Sequence, residues 1–485
     1  MATRRSLVLV VFSLITFLFI YKLDYPYFFT DEVLYVDSGR EHLKGVYTST
    51  MHVPLITKYI AGVMYSIADH NVLLLRIPFA LMGVLSAIVL YKILEREFGY
   101  KWGLLGAMLF TSSEIIYTST RMVMLEALMH LSWLLFLYLY YLAMEKRQAS
   151  WFLYSGIFLG LALSSKITSV ILIPFTLVFA PHLWKSYKSN HKVFLTHYLI
   201  MYTTGFGILA ATYIHTLSKL GVRNTIRAIY DGVNEGYLEK STEGKKHIID
   251  GRVYTKSPYW SYAYFVYAKE GILRISAYVA GAISAVLQKN LFVCYWGMFF
   301  IMSLAFYQFS GVKNVRYVAS FEIPLIIMAT AGFYYLSKRS KYLEVAIISS
   351  FFCFFTYHAI LVVTQIRTEY NALFEYYLKE ETDNYNSSDK IYIYGSIRSG
   401  RWYKHGKAVG RDMFEISSDL EAHCPEFQQY DYLIIEKDEL ERYGNNIMLE
   451  HAEKNKDFYE SSEQYGFLIF KRLKEGAMNS ICRQE

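Results

Sequence analysis

Cysteine, proline and charge are all scarce in this chain of 485 residues. With 4 Cys and no zinc or haem spacing, a disulfide scaffold and a cysteine metal site are excluded. The 8 Pro exclude a collagenous or proline-rich linker chain. Charged residues make up 19%, below the roughly 25% of an average soluble domain. No Lys/Arg tract with interleaved aromatics occurs, which argues against a nucleic-acid partner. Apolar sequence is abundant instead: 54% of residues are hydrophobic, with 45 Tyr and 33 Phe. These residues come in long blocks, the pattern of a membrane protein. A mean hydropathy of only +0.21 implies sizeable polar parts beside the spans.

The net charge of +7 hides an asymmetry. Ile366 to Glu485 hold 16 basic and 23 acidic residues, whereas the preceding part holds 33 and 19. A basic membrane domain over residues 1–365 and an acidic α/β domain over 366–485 are expected. Cys294 and Cys353 fall in apolar runs, where a thiol acts as a small hydrophobe. Cys424 and Cys482 lie in the tail and would pair only in an oxidising compartment.

Arg4 and Arg5 precede an apolar run from Leu7 to Ile20, and Tyr21-Lys22-Leu23-Asp24 offers no small-residue cleavage site. This reads as an uncleaved first span. Further spans are predicted to start near Arg76, Trp102, Glu126, Trp151, Ile167, Phe194, Ile272, Leu291, Arg316 and Leu343. That makes about eleven at the usual crossing length. With a cytoplasmic N-terminus, every short loop assigned inside carries Lys or Arg: Lys92/Arg96/Lys101, Lys146/Arg147, Lys185/Lys188/Lys192, Lys289 and Lys338/Arg339/Lys341. Residues 23–75 (with amphipathic helices), 217–271 and the tail then face outward. In the tail, residues 390–395, 430–436 and 467–472 read as strands. Asn386-Ser387-Ser388 is a glycosylation sequon.

The ionisable residues near outward span ends are the candidates for chemistry. Thr30 is expected to cap a helix from Asp31, with Gly45 ending it. Asp31 and Glu32 diverge by about 100° on such a helix and cannot point at one spot. Glu126 sits at the outward start of a span. Two acids at a helix N-terminus are favoured by the dipole whatever their function. Arg76, Arg121 and Arg316 lie at outward ends against the positive-inside preference. Such cations call for an anionic partner, either a carboxylate or a phosphate; plain snorkelling is the bland alternative. Lys166 interrupts apolar sequence on the same side, where it binds a phosphate or only marks a loop. His52, Pro54 and Lys58 share the first outer segment, and Tyr259-Trp260 form an aromatic, proline-marked stretch before a later span. The basic residues from Arg398 to Arg411 read as a solvated face.

Taken in order, Asp31-Glu32, His52-x-Pro54-Leu55, Leu75-Arg76-Ile77-Pro78, Arg121 to Glu126, and Gly160-Leu161-Ala162-x-x-x-Lys166-x-Thr168 resemble one family. It is the GT-C class of membrane glycosyltransferases, on the branch of dolichyl-phosphate-mannose protein mannosyltransferases and lipid A aminoarabinose transferases. The resemblance is densest over residues 25–175. It implies a catalytic base at Asp31, its partner at Glu32 and a second acidic position at Glu126. It implies donor-phosphate contacts at Arg76 and Arg316, and a His-Pro element at His52 in which Val53 replaces the first Pro. Lys58 and Lys166 join the phosphate-binding candidates; His52, Tyr259 and Trp260 are candidates for sugar or acceptor. The tail lacks the sugar-binding repeat insert of eukaryotic mannosyltransferases.

The expectation is an α-helical integral membrane protein of GT-C type with a small C-terminal α/β domain. It would transfer a sugar, with inversion, from a polyprenyl phosphate to a protein, lipid or glycan acceptor outside the cytoplasm. A phosphate leaving group needs cations, and an acceptor hydroxyl or amine needs a base. No cofactor is expected; a divalent metal ion is compatible with the class, but no ligand cluster stands out. The competing reading is a transporter or flippase of lipid-linked sugars, which would place its ionisable groups near the midplane and often show inverted repeats.

Overall fold

A computed structural model describes residues 2–23, 30–47, 53–68, 71–187, 190–237, 247–249, 252–254, 258–288, 290–309, 313, 315–364, 391–394, 414–417, 432–436, 447–464 and 467–473. The chain divides into two compact units. One comprises Met1–Leu23, Tyr35–Glu243 and Ser257–Ile366; the other comprises Asp24–Leu34, Gly244–Lys256 and Arg367–Glu485.

The first unit is helical. Its helices are α1 (Ala2–Ile20), α2 (Thr30–Leu43, whose first turns fall in the other unit), α3 (Leu55–Ala68), α4 (Val72–Phe98) and α5 (Tyr100–Ser112). They continue with α6 (Glu114–Arg121), α7 (Leu125–Lys146), α8 (Ala149–Ser165), α9 (Leu172–Ser186), α10 (His191–Tyr237) and α11 (Ser261–Val286). The last are α12 (Leu291–Gln308), α13 (Val318–Ser337) and α14 (Lys341–Thr364). Every one of the eleven predicted starts lies in a helix or in the 3₁₀ turn that leads into one. Among the described residues, however, seven helical segments are long and apolar enough to cross a bilayer. Length is one reason for the difference. The segment expected from Trp102 is broken at Ser113 into α5 and α6, and α8 has 17 residues. The segment expected from Ile272 is the second half of α11, set off by a kink at Gly271. The protein is a multi-span integral membrane protein.

The core of this unit is built around α13. This helix is 89% buried over its apolar stretch, against 11% for α14, so α13 is wrapped by protein while most of α14 lies on the outside of the bundle. Tyrosines enter this apolar interior because each hydroxyl finds an acceptor. Tyr295 donates to the Leu137 carbonyl at 2.8 Å, and the hydroxyls of Tyr140 and Tyr198 lie 2.6 Å apart. Glycine permits the closest helix crossings. A Cβ on Gly62 of α3 would lie 2.5 Å from the Gly39 carbonyl carbon of α2, and one on Gly281 of α11 would lie 2.7 Å from the Ala329 Cα of α13. Small residues at such crossings are the membrane alternative to hydrophobic association. As predicted, α2 stops before Gly45, whose φ of +78° suits glycine.

The second unit contains a five-stranded mixed sheet. Its strands are β3 (Ile391–Tyr394), β4 (Phe414–Ser417), β5 (Tyr432–Glu436), β6 (Tyr459–Gln464) and β7 (Phe467–Arg472), in spatial order β4-β3-β5-β7-β6. β3 runs parallel to β4 and β5; β7 runs antiparallel to β5 and β6. Helix α15 (Ile447–Lys454) lies between β5 and β6 in the chain. A hairpin, β1 (His247–Ile249) with β2 (Arg252–Tyr254), belongs to the same unit. The three predicted strands are β3, β5 and β7. The two not predicted, β4 and β6, are both edges. An edge strand pairs on one side only and tolerates a polar sequence such as Tyr459-Glu460-Ser461-Ser462-Glu463-Gln464. The sequon, Cys424, Cys482 and the basic residues 398–411 lie outside the described residues.

Candidate functional site

Three of the candidate residues, Glu126, Lys166 and Arg316, meet at helix ends of the first unit. Glu126 is the second residue of α7, where the positive end of the helix dipole favours an anion. Lys166 follows the last residue of α8, where the negative end favours a cation. Its Nζ donates to Glu126 Oε1 at 2.6 Å, and both side chains are almost wholly buried. The same ammonium lies 4.5 Å from the centre of the Tyr317 ring, a cation–π contact. Tyr317 stacks on Tyr307 at 4.9 Å, and the Tyr307 hydroxyl is 3.1 Å from Ser320 Oγ.

Arg316 precedes Tyr317 in the 3₁₀ turn before α13 and is half-buried. Its Nη1 lies 3.2 Å from Met124 Sδ, two residues ahead of Glu126. The structure thus brings Glu126, Lys166, Arg316 and Tyr317 together. They come from three separate stretches of sequence. Glu126 Oε2 is buried without a hydrogen-bond partner, and both nitrogens of His130, one turn further along α7, are in the same condition. A buried polar atom of this kind marks a place that a water or a ligand group would satisfy.

Arg76 is buried near the start of α4 and donates from Nη1 to the Leu23 carbonyl at 2.9 Å. Arg121 donates from Nε to the Phe19 carbonyl at 3.1 Å and also bonds the Tyr21 carbonyl. Arg121 therefore serves the carbonyl end of α1 and, with Arg76, the turn that follows it. The anionic character that these outward cations called for is supplied in part by a helix terminus.

Lys58 is buried in α3 behind the Gly39–Gly62 crossing. Burial alone pulls its ammonium down from the ordinary lysine range to about 7. Asp31 lies in the first turn of α2, and its side chain is outside the described set; Glu32, next to it, is buried. His52 lies outside the described residues. Tyr259 is 79% exposed, with Lys313 Nζ 5.4 Å from its ring centre, and Trp260 is partly exposed beside it. Among the described residues no three His, Cys, Asp or Glu side chains converge as a metal would need.

The sequence reading passed over a second buried polar group, formed by Ser113, Glu270, Arg274, Tyr278 and Glu322. The available signal was Arg274 and Glu322 standing inside apolar segments.

Part of the chain is similar to a known family, and its fold to solved structures. The family described as dolichyl-phosphate-mannose-protein mannosyltransferase matches residues 52–207, the stretch that holds Arg76, Glu126 and Lys166. ArnT from Cupriavidus metallidurans in the apo state superposes with a TM-score of 0.61 at 11% identity, over 96% of this chain and 98% of its own. The same protein bound to undecaprenyl phosphate gives 0.57 at 10% identity, over 98% and 99%. The archaeal oligosaccharyltransferase AglB from Archaeoglobus fulgidus, in complex with an inhibitory peptide and a dolichol-phosphate, gives 0.52 at 11%, over 97% and 74%. A chain of the S. cerevisiae protein O-mannosyltransferase Pmt1-Pmt2 complex bound to the sugar donor is similar at 19% identity over 45% of this chain. This chain spans 34% of that one, with a TM-score of 0.41. No curated protein matches by sequence. The fold is thus shared with ArnT over nearly the whole of both chains.

Proposed function

We propose that this protein transfers a sugar from a polyprenyl phosphate to an acceptor outside the cytoplasm. The observation that supports it best is the meeting of Glu126, Lys166 and Arg316 at one end of the apolar spans. A polyprenyl-phosphate sugar keeps its isoprenoid in lipid and its head group at the boundary, so its catalyst belongs where helix ends carry buried charge. Full-length likeness to ArnT, a protein whose structure is known with undecaprenyl phosphate, supports the same donor class.

In this reading the acceptor oxygen or nitrogen attacks the anomeric carbon as the bond from that carbon to the phosphate oxygen breaks. The acceptor proton goes to Asp31, and polyprenyl phosphate leaves with the electron pair. One direct displacement inverts the anomeric centre. Arg76, Arg316, Lys58 and Lys166 are the candidates for holding the leaving phosphate. Glu126 keeps the Lys166 ammonium in place, and Glu32 supports Asp31. His52, Tyr259 and Trp260 are assigned to sugar or acceptor. Eleven crossings, a cytoplasmic N-terminus and an outward α/β domain beyond residue 365 complete the proposed arrangement.

The test uses purified protein in nanodiscs with a panel of radiolabelled polyprenyl-phosphate sugars. Release of polyprenyl phosphate that requires an acceptor extract and is lost in Asp31→Asn would support the transferase. Donor binding without release, unchanged by Asp31→Asn, would favour a transporter of lipid-linked sugars.

A further inference from the structure

The second buried polar group can be read proton by proton. Arg274 of α11 is buried, and all its guanidinium nitrogens have acceptors. Nε donates to the Tyr278 hydroxyl at 2.6 Å. Nη1 donates to the Ser112 carbonyl at 2.5 Å and lies 2.6 Å from Glu270 Oε2. Nη2 bonds the Leu109 carbonyl and reaches Ser112 Oγ at 3.1 Å. The Arg274 charge is thus matched by Glu270, with which it forms an ion pair.

A second carboxyl group then has no ion-pair partner of its own among the described residues, Arg274 being already paired with Glu270. Glu322 of α13 is buried, and its described contacts are with hydroxyls alone: Oε2 is 2.8 Å from Ser113 Oγ, and Oε1 is 3.4 Å from the Tyr278 hydroxyl. Ser113 Oγ also lies 2.9 Å from Glu270 Oε1 and accepts from the Ile116 amide at 3.1 Å. A serine hydroxyl has one proton to donate and two lone pairs to accept with. It cannot donate to both carboxyl groups. If both were ionised, one short oxygen–oxygen contact would have no proton in it, inside an apolar interior where such repulsion is costly. One proton on Glu322 removes the conflict. Glu322 Oε2–H donates to Ser113 Oγ, Ser113 Oγ–H donates to Glu270 Oε1, and the Tyr278 hydroxyl donates to Glu322 Oε1.

We propose that Glu322 is carried as the neutral acid, and that it acts as a positioning residue for the site at Glu126 and Arg316. Its proton closes a network that fastens the end of α5, the N-cap of α6, the kink of α11 and the first turns of α13. α6 leads through Arg121 to Glu126, and Glu322 lies six residues after Arg316. The positioning role rests on the proposed transfer reaction; the protonation of Glu322 does not. Other titratable groups around the cluster are His358 of α14, which bears electrostatically on Arg274, and the Glu114–Lys269 ion pair at 2.8 Å.

The test compares the full-length protein with Glu322→Gln, Glu322→Ala and Glu270→Gln in nanodiscs. Infrared spectroscopy should show the carbonyl stretch of a protonated carboxylic acid in the wild type and its loss in Glu322→Gln. An amide can donate to Ser113 as the acid does. Glu322→Gln should therefore keep the wild-type melting temperature and polyprenyl-phosphate release, whereas Glu322→Ala loses release and Glu270→Gln, which strands Arg274, melts lower. The absence of an acid band that responds to Glu322→Gln would overturn the proposal, as would a Glu322→Gln protein that melts as low as Glu270→Gln. Wild-type release in Glu322→Ala would overturn the positioning role. The spectra and melting temperatures need no donor, so they stand even if no sugar transfer is found.

Discussion

Lys166 and Glu126 illustrate what a buried ion pair does at the scale of one residue. Each sits at the helix end whose dipole favours it, and each takes the other's charge out of an apolar setting. Removing one partner leaves the other uncompensated. Lys166→Met is expected to cost about 3–5 kcal/mol, read as a lowered melting temperature in detergent. Lys58 gives a pH prediction. Its folded pKa of about 7 lies below the ordinary value of 10.5. The penalty of burying its ammonium is complete below pH 7 and disappears as pH rises towards 10.5, so its contribution to stability improves across that window. Donor binding has the opposite sign, because a phosphate is attracted by the ammonium form. Affinity for a polyprenyl-phosphate sugar should fall as pH rises through 7, and Lys58→Gln should flatten that dependence in a binding titration. Asp31→Asn is expected to slow transfer by about 10²–10⁴-fold while donor binding persists, the usual loss for a general base.

At the scale of elements, helix crossings depend on glycines whose importance only packing reveals. Gly281 and Gly332 face each other where α11 and α13 cross, with no room for a side chain. Gly332→Leu should force the helices apart and cost about 1–3 kcal/mol or more, measurable by thermal unfolding. Strands follow a related logic. Interior strands such as Tyr432–Glu436 are apolar enough to be read from sequence, whereas the polar edge β6 becomes a strand through its pairing with β7. The end of α2 was legible for a different reason, since Gly45 stops the helix by local backbone chemistry, whereas Thr30, expected as its cap, is already its first helical residue.

Across the whole molecule, membrane topology is the property most open to test. Cysteines placed singly in the loop at Lys146/Arg147 should be labelled by an impermeant reagent only from the cytoplasmic side. A cysteine at the exposed Tyr259 should be labelled only from outside. The reverse pattern would invert the orientation that the basic loops imply. Among the described residues seven helical segments are long and apolar enough to cross a bilayer, while those from Trp102, Trp151 and Ile272 are broken, short or kinked.

The sequence by itself determined the membrane class, the helix at each predicted start, the acidic tail with its interior strands, and the family resemblance. These depend on local composition, and hydropathy or a cap is sensed within a few residues of chain. Only the tertiary structure decided which charges meet. Nothing local to Glu126 names Lys166, 40 residues away, and nothing local to Arg76 or Arg121 points to the carbonyls of Leu23 and Phe19. Nor does any short stretch reveal that Glu322 shares Ser113 with Glu270, since these residues come from three separate helices or their caps. In an apolar interior a charge must find its partner wherever the fold puts one, and that is a property of packing and not of sequence neighbourhood.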